Sequence, residues 1–535
     1  MEESDYIIVG GGSSGCVMAE RLSENPMTKV LMIERGRNDF HPWIHIPAAF
    51  FKILKSGRDI KNYVAAPSEA MAGRPTIVPT GKVIGGGSSV NAMLYVRGQS
   101  EDYDNWAQLG AKGWSYNDCL PVFRDLENNE LYSNDYHGST GDLHVSEPKF
   151  KHPLSEAFVA AAQETGIPFN PDFNGAVQEG VGFYQTTTHN GRRWSAAQAF
   201  LRKAEKRPNL KIMKNTSVTK LTFDGTRATG VMLESGPKIK ARSEVVMCAG
   251  AFETPRLLQL SGIGNAQDLR DLGIDVISDL PGVGENYQDH LESTVQGETI
   301  DPISNYRHDK GLRAAMHMLQ YLTTRKGLLT SNVCETGGFI DVSDAGIPDL
   351  QFHVLPSMVA GLDRPAIEAH GVSIGQCFLR PKSRGSYKIR SADPTKKPVF
   401  ISGALTDKHD VDLLMRGVRK SIEILDAPAL AKYIKRRHMP APDVENDDAA
   451  LEEYVRKTAK TLFHPSCTVK MGADSDRMAC LDSELRVRGV QGLRVCDASA
   501  MPALISGNTN APTMMIAERA ARFILGKDTI ATQSA

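Results

Sequence analysis

Apolar positions at the start of the chain come in two short continuous runs. Tyr6-Ile7-Ile8-Val9 precedes the loop Gly10-Gly11-Gly12-Ser13-Ser14-Gly15, and Lys29-Val30-Leu31-Met32-Ile33-Glu34 follows a helical stretch ending near Leu22. Continuous runs of this length are the pattern of strands buried on both faces, so the opening predicts strand, glycine loop, helix, strand. Further on, Leu210–Met213, Val218–Phe223 and Ala228–Leu233 read as strands, with Asp224-Gly225 as a hairpin turn, and Glu244–Val246 leads through Cys248 to Gly250 as a buried strand followed by a helix. Amphipathic helices are expected at Pro153–Thr165, Ser195–Lys206 and Lys408–Leu425. Strands are expected at Leu350–Val354, Ser373–Leu379 and Gly385–Ile389, and a closing helix at Met514–Leu525 with Pro512 in its first turn.

These elements predict an α/β chain, α+β overall. A discontinuous Rossmann-like dinucleotide-binding domain is expected over 1–150, 205–300 and 456–535. A second domain, an antiparallel sheet with helices over one face, is expected over 151–204 and 301–455. The stretch His41–Phe51, with prolines and no helical or alternating period, reads as a surface excursion, a lid or an interface; its histidines lack metal-ligand spacing and receive no role.

At 535 residues the chain is too long for one ordinary core. A net charge of -1 gives no footprint for nucleic acid or for an anionic surface. The eight cysteines form no CxxC pair, which suits a reducing compartment. No apolar run is long enough to span a bilayer and no leader precedes the first strand, so a cytoplasmic protein is expected, with peripheral membrane association left open. No metal site is expected.

The chemistry begins with the first loop. Gly10 permits a tight turn, Gly12 lets backbone amides approach a diphosphate, Gly15 brings helix against strand, and Glu34 can accept hydrogen bonds from a ribose diol while repelling a 2′-phosphate. FAD and NAD both satisfy this pattern. A second loop, Gly81–Met93, contains Gly85-Gly86-Gly87 and suits backbone laid against a ring or a diphosphate. Two such loops suggest one extended cofactor. Near the C-terminus, His464-Pro465, the strand Leu493–Val495 leading to Asp497, and Ser506–Thr513 carry polar groups, but spacing alone gives His464 no more than the role of a core histidine.

Together, the first loop, Gly81–Tyr95, Gly250–Pro255 through Ser261–Gly264, Pro281–His290, His464-Pro465 and Val495–Asn510 resemble the glucose-methanol-choline (GMC) flavoprotein oxidoreductases over essentially the whole chain. Within that family Phe169–Gly180, Ile347–His353 and Leu379–Pro394 look most like an L-sorbose dehydrogenase and alcohol dehydrogenase branch. The resemblance implies non-covalent FAD, since Val90 stands where some members carry a flavin-linked histidine. It places Gly10, Gly12, Ser13, Ser14, Gly15, Glu34 and Val218 on the ADP half. Val83, Gly86, Ser89, Asn91, Ala92 and Met93 would lie along the diphosphate and flavin, with Asp497, Ala498, Asn510, Pro512 and Thr513 at the C-terminal side. It implies oxidation of a sugar, polyol or related alcohol by hydride transfer to flavin, with His464 as base and Asn510 as its hydrogen-bonding partner. The electron acceptor would be a quinone, a dye-like acceptor or oxygen. Choline-like, polyether and aliphatic alcohols are the alternative substrates. Parts of the pattern would also serve a NAD-dependent dehydrogenase, a hydroxynitrile lyase or a non-catalytic flavin binder.

Overall fold

The computed structural model describes residues 3–362 and 367–528. Its first sheet is built as the apolar runs predict. Strands Leu210–Met213, Val30–Ile33, Glu3–Val9 and Lys238–Met247 lie side by side in parallel, and Leu493–Val495 pairs in parallel with the last part of Lys238–Met247. The antiparallel hairpin Val218–Asp224/Arg227–Leu233 pairs with the beginning of that same strand. The register aligns Val9 with Ile33 and Met247, and Met247 with Val495. Gly10, Glu34, Cys248 and Cys496 therefore leave the sheet at one edge, the carboxyl edge where open parallel sheets bind ligands.

Helices Ser13–Leu22 and Asn510–Ile524 pack against one another. Their apolar residues share one core with the sheet, from Ile7 and Leu31 to Val246, Val495 and Ile516. Ala196, Phe200 and Leu201 also belong to this core, although the sequence assigns 151–204 to the second unit. The helix expected after Gly250 begins at that residue, directly at the strand end, and runs over Gly250–Leu260.

The second sheet is antiparallel, in the order Ile434–Met439, Leu291–Thr299, Gly371–Phe378, Leu350–Leu355, Thr336–Ile340, Gly180–Phe183. Side chains alternate faces along a strand. Leu291, Val295, Val372, Ile374, Phe378, Leu350, Phe352 and Val354 share one face and form a core with helices Pro153–Glu164 and Lys408–Asp426. The residues between them take the opposite face: Glu292, Gln296, Ser373, Cys377, Gln351 and His353, all buried and mostly polar.

His41–Phe51 departs from its expectation. It forms short helices at Pro42–His45 and Phe50–Ser56 joined by a single tight turn of helix, because Ile44, Ile46, Phe50 and Ile53 find apolar cover. Among the described residues no helix is long and apolar enough to cross a membrane. All eight cysteines are free and buried.

Candidate active site

The two glycine loops meet. Gly85 N–H donates to Gly11 O (2.8 Å), and a Cβ on Gly86, itself at φ +52°, would lie 2.7 Å from Gly12 Cα. Gly10, at φ +108°, passes so near the neighbouring strand that a Cβ would fall 2.4 Å from Cys248 O. At Gly12, by contrast, a Cβ would meet nothing nearer than 3.9 Å. The helix starting at Ser13 has no side-chain cap and no acidic residue in its first turn, so its amides face this open ground unsatisfied by side chains. Glu34 is 7% exposed and accepts from Gly11 N–H (2.7 Å) and Gly36 N–H (2.6 Å). Burial pushes its carboxyl upward while those two amides oppose the shift. Bare glycine backbone, a free helix N-terminus and a carboxylate at one sheet edge fit the adenosine diphosphate half of FAD.

Other expected contacts are placed with mixed results. Ser14 turns inward, buried beside Cys248, which leaves only its amide for a ligand. Ser13 Oγ donates to Asn510 Oδ1 (2.8 Å). Val218 begins a strand beside the segment in which Thr216 N–H donates to Glu34 O (3.0 Å). Ser89 Oγ donates to Ile84 O (2.7 Å) and Met93 O accepts from Thr187 N–H (2.8 Å), so the second loop is fixed, with Val83 buried beneath it. Ala92 O accepts from Asn332 Nδ2 (2.9 Å), tying this loop to the second sheet. Asp497 spends both carboxylate oxygens inside the protein, on Gly250 N–H (2.8 Å) and Thr254 Oγ1 (2.7 Å) and on Ser499 N–H (2.9 Å). It braces the sheet edge, leaving Ala498 partly exposed. Thr513 Oγ1 is likewise used, on Thr509 O (2.7 Å), and Pro512 is buried in the helix start.

Sequence reasoning passes over Arg193. Its guanidinium is buried and has no carboxylate partner; Nη1 donates to Asn91 Oδ1 (2.7 Å) and Ser88 O (3.0 Å), and Nε to Ile44 O (2.7 Å). Among the described residues Nη2 has no hydrogen-bond partner, and burial lowers the group to about 9. This fixed cation underlies the loop expected to lie along the flavin, where an anionic ring would complement it.

His464 is the centre of the second half of the site. Its partner is Asn508, not Asn510: Asn508 Nδ2 lies 3.3 Å from His464 Nε2. Asn510 is the first residue of the closing helix and faces Ser13, whereas Asn508 sits in the loop two residues before it. Asn508 Oδ1 accepts from Gln351 Nε2 (3.2 Å), and that nitrogen is also 3.3 Å from Tyr184 Oη.

On its other side, His464 Nδ1 lies 2.9 Å from His290 Nδ1, and His290 Nε2 lies 3.0 Å from Leu379 O. A carbonyl can only accept, so the His290 proton is on Nε2 and its Nδ1 must accept from His464 Nδ1–H. His464 Nε2 is then left as a lone pair. Burial lowers His464 well below the ordinary histidine range, reinforced by His290 and His353. Burial likewise brings His290 to about 4. Both rings are therefore neutral near pH 7. Asp289, pushed up to about 6 by burial, holds the backbone in place by accepting from His464 N–H (2.8 Å) and Tyr287 Oη (2.9 Å).

The polar face of the second sheet surrounds this pair. Among the described residues, Gln351 Oε1 on this face is buried without a hydrogen-bond partner, as is Asn332 Oδ1 in the loop before strand Thr336–Ile340. Glu292 Oε1 is 3.1 Å from Lys460 Nζ, and Oε2 is 3.5 Å from His353 Nδ1. Buried polar atoms are rarely left unpaired, so this arrangement suits a polar guest. Among the described residues no cluster could hold a metal ion.

The GMC oxidoreductase family models match residues 4–292 and 381–517. The chain is 41% identical to an alcohol dehydrogenase [acceptor] of Pseudomonas putida, over 99% of this chain and 97% of that one. It is 44% identical to mitochondrial choline dehydrogenase of Mus musculus, over 98% and 90%. Among solved structures it resembles pyridoxine 4-oxidase from Mesorbium loti, with TM-score 0.89 and 29% identity over 98% of this chain and all of that one. An FAD-dependent oxidoreductase from Chaetomium thermophilum gives TM-score 0.90 and 28% identity over 99% and 100%. With its glycine loops, Glu34 and buried histidine pair in this setting, the chain belongs to the GMC oxidoreductases and is an FAD-dependent enzyme acting on the CH–OH group of alcohols.

Proposed function

We propose that the protein oxidises a small alcohol carrying a second polar group, such as a polyol, sugar or amino alcohol, with His464 Nε2 as the base. Bound FAD supplies the acceptor for a hydride. The alcohol O–H proton passes to His464 Nε2 as the C–H electron pair leaves for that acceptor, and the carbon–oxygen double bond forms. The observation that carries this reading is the chain Leu379 O, His290, His464, which leaves Nε2, 3.3 Å from Asn508 Nδ2, as the one lone pair of the two rings not taken up by the other ring. Asn508 Nδ2–H is placed to donate to the substrate oxygen as it gains negative charge. This role belongs to Asn508 in place of the Asn510 that the sequence suggested. Burial, reinforced by His290 and His353, keeps His464 unprotonated and ready to accept.

The unpartnered Gln351 Oε1, on a buried face that also carries Glu292 and His353, supports a substrate with polar groups beyond the reacting hydroxyl. L-sorbose falls within this class. A cationic alcohol of the choline type is the second reading, favoured by the buried Glu292 carboxylate and by the relatives named as choline dehydrogenases. Lys460 beside Glu292 Oε1 weighs against it, because it already neutralises that carboxylate. Anaerobic mixing of the holoenzyme with L-sorbose, polyols, choline, polyethers and simple alcohols tests the class by bleaching of the flavin. Reoxidation by a quinone or by oxygen then separates dehydrogenase from oxidase. Bleaching by none of these alcohols would contradict the reading.

A further inference from the structure

Helix Gly311–Thr324 carries its apolar residues on the wrong side for a globular protein. At 100° per residue, Leu312, Ala315, Met316, Leu319 and Leu322 share one stripe, while Ala314, His317 and Tyr321 share the opposite one. The second stripe faces the protein: Tyr321 is 2% exposed and packs with Ile46 and Ala49. The first faces outward, with Leu312 77%, Leu319 64% and Leu322 and Met316 both 61% exposed. Single exposed apolar residues are ordinary, but four large ones aligned on one helix face are not.

The charges flanking this face are of one sign. Lys310 and Arg313 lie at its start and Arg325 and Lys326 just past its end, and no Asp or Glu occurs between Asp309 and Glu335. All four cations are exposed. An apolar stripe bordered by Lys and Arg is complementary to an anionic lipid surface, in which the stripe enters the boundary of the acyl chains while the cations meet the headgroups. Fourteen residues of helix reach only about 21 Å, too short to cross.

We infer that helix Gly311–Thr324 docks the enzyme on the surface of an anionic bilayer. Its position gives the docking a use. Ile46 and Ala49, beneath Tyr321, belong to the segment whose Phe50 packs with Leu94, beside the second glycine loop. Two packing layers thus separate the apolar stripe from the loop expected along the flavin. A bilayer-dissolved acceptor such as a quinone would be delivered to the same side of the molecule.

Cosedimentation of the FAD-loaded holoenzyme with vesicles tests this. Vesicles of phosphatidylcholine with phosphatidylglycerol should bind the protein and pure phosphatidylcholine should bind it more weakly. Leu312→Glu/Leu319→Glu should reduce binding to the anionic vesicles by about tenfold or more. The milder Met316→Ser/Leu319→Ser should reduce it by less. Dye-linked oxidation of a water-soluble alcohol should be unchanged in both variants, which confirms that they fold. Failure of the wild type to sediment with anionic vesicles would overturn the inference, as would undiminished binding by both variants. A stable dimer in light scattering that Leu312→Glu/Leu319→Glu converts to monomer would also overturn it, assigning the face to a second copy.

Discussion

His290 Nδ1 and His464 Nδ1 face each other at 2.9 Å, and because Leu379 O accepts from the single N–H of neutral His290, on Nε2, only one arrangement of protons satisfies both rings. Replacing His290 by Ala removes the acceptor that fixes the His464 tautomer. Flavin reduction by alcohol should slow by roughly tenfold or more while bound FAD and its absorbance stay as in the wild type. Reduction at the wild-type rate in His290→Ala would show that the tautomer is fixed by something else.

The two asparagines separate cleanly. Asn508→Ala should lower the rate of flavin reduction by about a hundredfold, the scale of losing one hydrogen bond to a developing oxyanion. Asn510→Ala loses the bond to Ser13 and should cost about 1 kcal/mol of stability with little change in that rate. Stopped-flow traces and thermal unfolding of the two variants check the assignment, and the opposite ranking would restore Asn510 to the catalytic role.

Contact between the glycine loops predicts a binding defect without a chemical one. Gly86→Ala brings a methyl within 2.7 Å of Gly12 Cα and strains a positive φ by about 1–2 kcal/mol. The purified variant should contain less FAD than the wild type and regain activity as free FAD is added. Full occupancy after purification would mean that the loops can part without harm.

Acid should destabilise the fold. Burial lowers His152 and His290 to about 4, so between about 6.5 and 4 the unfolded chain binds protons that the folded chain refuses. Stability therefore falls as pH drops through that window, by up to on the order of 3 kcal/mol for each histidine. Asp289, raised to about 6, acts in the other direction, since the folded chain takes its proton first. Glu34, Asp102 and Glu335, which burial also raises, act with Asp289, while His464 and the carboxylates held low, Glu253 and Glu127, add to the histidines' side. Urea unfolding at pH 7 and pH 4.5 should show the loss, and His152→Phe should flatten it. Equal stability at the two values would contradict the balance.

What could be read in the sequence was what is local. The first loop, Glu34 and the second loop announce themselves because each is local in the chain, with strand, glycine loop, helix and acid following one another between Tyr6 and Glu34. The expectation of an antiparallel sheet covered on one face also follows from strand patterns with a long helix behind them. The partner of His464 could not be found that way. Asn508 and Asn510 differ by two positions in one loop, and which of them faces the histidine depends on where the closing helix begins. His290 ends the segment Pro281–His290, one of those that carry the resemblance, yet nothing near it in sequence points to Leu379 or His464. For Gln351 and His353 a signal was present: polar residues alternating with Leu350, Phe352 and Val354 in a strand that proves buried on both faces. A buried polar face must find its hydrogen-bond partners in a ligand or in another layer.

The account rests on His464 as the base, and anaerobic stopped-flow reduction of FAD-loaded His464→Ala tests it most directly. Reduction by an alcohol that bleaches the wild type should be slower by at least about a hundredfold, with FAD retained at wild-type occupancy. Near-normal reduction in that variant would contradict the account and move the base elsewhere.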